Sequence, residues 1–128
     1  MITEPTFLDL LGKKHAIVLP DFAAREELMV AYGESRTKKG VALMRVYAAV
    51  LGLCTRLGRM AGADYTAHRF DVLAYGGAVY GYLREQGVTM EQLSQAAVPL
   101  VITISEATFP RQPEVDEAAG NSEGGAAV

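Results

Sequence analysis

The segment KKGVALMRVYAAVLGLCTRLGRMA, residues 38–61, constrains the fold more than any other stretch of the chain. At 100° per residue Lys38, Arg45, Arg56 and Arg59 fall within about 60° of one another, and apolar residues fill most of the remaining circumference. A helix that is apolar nearly all round must be covered by other elements, so it belongs at the centre of a bundle. The chain has 128 residues, half of them apolar, which suits one small core. No run reaches the ~18 apolar residues that a membrane-spanning helix needs. The opening MITEPTFLDLLGKK has no basic start followed by an apolar block, so no secretory signal is expected. One cysteine, Cys54, allows no internal disulfide and fits a reducing cytoplasm.

Helices on either side can cover that centre. Pro20–Asp21 starts one, with Asp21 as the cap, and DFAAREELMVAYG then ends at Gly33. Phe22, Met29 and Val30 are expected to lie near one another on it. Another helix is expected from Asp64 to Gln86, stopped by Gly87. In TMEQ, Thr89 and Gln92 form a capping-box pattern that opens a last helix running towards Ala107. Pro99 must kink or split it, and VITIS beyond it is open to a strand as well as a helix. Near the N-terminus HAIVLP reads as a strand, with Ile2–Phe7 as its partner across a turn at Gly12–Lys14.

Composition divides the chain at residue 109. Residues 1–108 hold eleven basic and eleven acidic side chains, which cancel; Arg111 against Glu114, Asp116, Glu117 and Glu123 then accounts for the net charge of −3. Residues 1–109 are expected to form a helical domain and 110–128 a flexible, disordered acidic tail. The fold class expected is mainly α: a small bundle of four to five helices with a short N-terminal β element.

Within the helix after Asp64, AYGGAVYGYLREQG places Gly76, Gly77 and Gly81 in apolar stripes. Each interior glycine costs roughly 1 kcal/mol relative to alanine, so close approach of a neighbouring backbone is the expected compensation. Tyr75, Val79 and Tyr82 share one face at i, i+4 and i+7. The plain reading is packing against the central helix; the sharper one is contact with another chain, since tyrosine is enriched at interfaces.

Chemistry-bearing patterns are missing from the sequence. His15 and His68 stand alone, without the spacing that a metal site requires, and Cys54 in VLGLCTRL reads as a buried apolar residue. There is no nucleophile elbow, phosphate loop or dinucleotide fingerprint. Neither a metal nor a cofactor is expected, and nothing points to an enzyme. Arg36 to Arg59 carries six cations and no acid. The plainest reading is a solvated helix face. A sharper one is a seam for an acidic protein segment, with Lys38, Arg45, Arg56 and Arg59 as its contacts. A neutral body makes nucleic acid an improbable partner, although a small DNA-binding regulator using this seam is a third class to separate.

Four stretches carry a resemblance: HAIVLPDFAAREELMVAYG, RVYAAVLGLC, YTAHRFDVLAYGGAVYGYLREQGVTMEQL and the acidic end. Over about residues 12–109 the chain resembles the tail assembly chaperones of long-tailed bacteriophages, found also in prophages and gene transfer agents. That resemblance implies a non-enzymatic, mostly helical protein of the host cytoplasm, absent from the mature virion. It implies the tape-measure protein and the tail-tube protein as partners and self-association into a homo-oligomer; many such families also make a C-terminally extended version, and Pro110 to Val128 sits where such an extension would begin. The alternative from the structural class is a head–tail adaptor or tail-completion protein that stays in the particle.

Overall fold

A computed structural model describes residues 7–38, 40–68 and 71–109. In chain order the elements are β1 (Phe7–Leu10), β2 (Lys13–Ala16), α1 (Phe22–Ser35), α2 (Gly40–Cys54), α3 (Leu57–Met60), α4 (Val72–Glu85) and α5 (Met90–Thr108). The fold is therefore mainly helical, five helices with a two-stranded N-terminal sheet among the described residues. The expectations placed on Ile2–Thr6, on Phe70 and on the tail 110–128 lie outside those residues.

The central role of α2 follows from its sequence. Val46, Ala48, Ala49, Val50 and Leu51 are all at or near zero exposure, and α1, α3, α4 and α5 each pack against this one helix. Burial of a side chain such as Leu51 stabilises the fold by about 1.5–3 kcal/mol. Gly40, Val41 and Arg45 are the exposed residues along its length.

The helix is shorter than its periodicity suggests. At Thr55 the side-chain hydroxyl donates to the Leu51 carbonyl at 2.5 Å and accepts the Leu57 N–H at 3.0 Å. A threonine that engages both preceding and following backbone competes with the helical ladder, and the chain turns into α3 instead of continuing. Gly33 likewise does not end α1, which runs on to Ser35, its cap Arg36 donating to the Tyr32 carbonyl. Phe22 and Val30 are 50% and 60% exposed, so the expected cluster with Met29 does not form; Phe22 instead carries the Arg25 guanidinium over its ring.

Helix α4 begins eight residues later than the sequence pattern indicates. Asp64 opens a single turn, its carboxylate accepting the Thr66 N–H at 3.0 Å, and Asp71 is the true cap, accepting from Ala74 at 3.1 Å. The capping box at α5 has both of its bonds, Gln92 N–H to the Thr89 hydroxyl and Thr89 N–H to the Gln92 side chain. Pro99 does not split α5, and VITIS is helical. Leu93, Ala97, Leu100, Ile104 and Thr108 form one continuous buried stripe at helical spacing, and that burial outweighs the strand preference of β-branched residues. Pro99 sits on the exposed side, where water can reach the carbonyl deprived of its N–H partner.

The N-terminal element is a hairpin, Phe7 pairing with Ala16 and Leu10 with Lys13. Leu11 and Gly12 have φ of 58° and 71°, the two-residue turn whose twist suits a hairpin. Pairing thus uses KKHA rather than HAIVLP. Val18 instead donates its N–H to the Cys54 carbonyl at 2.8 Å, which fixes this connection to the end of α2.

Candidate functional site

On α4, Gly76 sits where a side chain has no room: an added Cβ would collide with the Arg45 carbonyl oxygen and stand 3.2 Å from the Ala49 methyl. The expected close approach exists, and α2 supplies it. Gly77 meets only the Arg45 side chain at ordinary contact, and Gly81 faces open space, so one glycine of the three carries the packing.

This same contact relocates the tyrosine face. Tyr75 and Val79 are 3% and 0% exposed, buried inside the chain, and Tyr82 is half-buried beside them. Tyr75 and Val79 are corrected from partner contacts to core residues, because α2 covers the stripe they occupy; Tyr82 keeps part of its surface open. Tyr75 is held edge-on by Tyr65, with ring centroids 5.3 Å apart, and by His68 at 6.2 Å. His68 belongs to the single turn after Asp64 rather than to the helix expected from that residue onward. The cationic seam is also divided. Lys38 lies in the turn after α1, Arg45 on α2, and Arg56 and Arg59 beyond the break at Thr55. All four are exposed, but only Arg56 and Arg59 line one depression.

The two larger depressions among the described residues bear on function. The first is a groove of about 510 Å³ between α1 and the start of α4. Glu26, Val30 and Glu34 follow one another at i, i+4 and i+8 along one wall, while Asp71 and Leu73 form the other. Val30 and Leu73 leave apolar surface open to solvent, and among the described lining residues there is no cation. Glu27, at the inner edge, accepts a hydrogen bond from the Tyr65 hydroxyl at 2.5 Å. Burial, then this bond, raises the Tyr65 pKa. Such a groove offers an apolar strip with negative flanks, which suits the apolar face of a helix with Lys or Arg at its edges.

The second is a more polar cleft of about 840 Å³ bounded by α2, α3 and the turn after Asp64. Arg56 and Arg59 stand at its edge, and Tyr75 reaches it from α4. The Tyr75 oxygen occupies the space left by two missing side chains: a Cβ on Gly58 would overlap it, and one on Gly52 would lie 2.7 Å away. Although buried, this hydroxyl has no hydrogen bond to a described residue. A buried donor left unmatched costs roughly 1–3 kcal/mol. Burial pushes the Tyr75 pKa up to about 12, so the phenol keeps its proton.

Among the described residues there is no group of three or more His, Cys, Asp or Glu placed to hold a metal ion. His15 is committed to the Leu10 carbonyl at 3.0 Å. Cys54 is 1% exposed and burial pushes its pKa up to about 12, which keeps it a thiol rather than a nucleophilic thiolate. Among the described residues no helix is long and apolar enough to cross a membrane. No family model, curated protein or solved structure matches the chain.

Sequence reasoning missed both features for different reasons. The groove had a signal, since Glu26, Val30 and Glu34 recur at helical spacing with an apolar residue between two acids. The cleft had none: Gly52, Gly58 and Tyr75 meet only because the chain turns at Thr55.

Proposed function

We propose that this chain is a non-enzymatic tail assembly chaperone that binds the tape-measure protein, keeps it soluble and helps bring tail-tube subunits to it. It acts in the host cytoplasm as a homo-oligomer and leaves before the virion is complete. The observation that carries this reading is the groove between α1 and α4, with Val30 and Leu73 exposed between Glu26, Glu34 and Asp71. A holder of a long amphipathic helix needs an apolar strip on each copy, modest affinity per contact and many copies along the client. The resemblance over residues 12–109 supplies the identity of the client.

Co-expression with a candidate tape-measure protein tests the reading, with the client's soluble fraction as the readout. The parent chain should keep the client in solution, and Val30→Glu with Leu73→Glu should return it to the pellet while circular dichroism of the chaperone stays unchanged. Equal solubilisation by that variant overturns the assignment of the groove. Recovery of the chain from purified particles overturns the chaperone role in favour of an adaptor.

A further inference from the structure

The cleft beneath α3 contains three groups that need a partner and do not find one within the described protein. Arg56 and Arg59 are exposed and make no ion pair or side-chain hydrogen bond with a described residue. Tyr75 is 97% buried by its 3% exposure, yet its hydroxyl is unmatched. A phenylalanine would fill the same ring position without an orphaned donor. The oxygen is accommodated all the same, in a space that exists because residues 52 and 58 are both glycine. Asp64, the one acid among the described lining residues, has its Oδ1 turned to the Thr66 and Ala67 amides at 3.0 and 3.5 Å. Beside that carboxylate, whose charge acts on the Tyr75 oxygen, the cleft presents three donors: two guanidinium groups and a phenol.

We propose that this cleft is a binding site for a small organic oxyanion, whose charged oxygens take hydrogen bonds from Arg56 and Arg59 and from the Tyr75 hydroxyl. Guanidinium groups match carboxylate and phosphate oxygens in paired geometry, and a phenol donates to either. The volume of about 840 Å³ exceeds what a bare inorganic ion occupies, so the ligand carries an organic body as well as its charge. This site is separate from the acidic groove and does not depend on the chaperone reading.

Amide NMR titration of the full chain tests it, with inorganic phosphate and glutarate as separate probes and chloride at matched ionic strength as the control. Saturable shifts of Gly52, Gly58, Arg56 and Arg59 are expected with phosphate or glutarate and not with chloride; the tighter probe names the class of oxyanion. Arg56→Gln with Arg59→Gln should weaken binding by about tenfold or more, and Tyr75→Phe by about threefold without lowering the melting temperature. The arginine variant is exposed at both positions, so it reads binding even if the tyrosine variant alters packing. Shifts that do not saturate with either probe, shifts matched by chloride, or an arginine variant that binds like the parent overturn the proposal.

Discussion

On the side of α4 that faces α2, Gly76 brings its backbone against the Arg45 carbonyl, Val79 and Leu83 are sealed from water, and the Tyr75 ring is buried with its hydroxyl at the cleft. On the side that faces α1, the first turn of the same helix stands off far enough to leave a groove of about 510 Å³, with Leu73 open to solvent. One helix thus makes a dry contact with a small residue and an unfilled contact with large ones. Apolar character alone does not distinguish core from open groove; the distance to the nearest covering element does.

The sharpest way to break this comparison is Gly76→Val. Its side chain would enter space held by α2 backbone, which cannot give way as a flexible side chain does, so stability should fall by about 3 kcal/mol in urea unfolding. A smaller effect is expected on the open side. Charge reversal at Glu26 and Glu34 should weaken binding of a basic amphipathic helix by about tenfold at low salt, with stability changed by no more than ~0.5 kcal/mol. Titration calorimetry at two salt concentrations, paired with a melting curve, checks both halves.

Alkali probes the packed side. Burial raises Cys54 from 9.0 and Tyr75 from 10.0, each to about 12, so the folded state holds protons that the unfolded chain releases. Their contribution is intact below about pH 9 and declines as pH rises towards 12. Melting temperature should fall across that window, and Cys54→Ala should flatten its lower part. The least effect belongs to Gly81→Ala: an added Cβ would meet no described atom within 4 Å beyond its own stretch of helix, so the change is a better helix former, worth a gain of ~0.5–1 kcal/mol.

The legible parts of the molecule were those decided locally. Asp21 caps α1, Thr89 and Gln92 close their box, and the apolar residues 46–51 declare a central helix from their pattern. The helix ends at Thr55 and Asp71 were not legible, because a hydroxyl or carboxylate that captures backbone N–H groups competes with an equally plausible continuation. The site suffered most. Tyr75, Val79 and Tyr82 do share a face, but nothing in their spacing says whether α2 or another protein covers it.

The amino-acid sequence by itself determined a mainly helical chain organised around residues 40–54, since no other arrangement buries a segment that is apolar on almost every side. Tertiary structure alone decided which apolar stripes became interior and which stayed open as the groove, and it alone set Gly52, Gly58 and Tyr75 around one cleft. The reason is range. Periodicity and capping act over one or two helical turns, whereas burial depends on elements far apart in the chain, whose meeting is fixed only when the whole core closes.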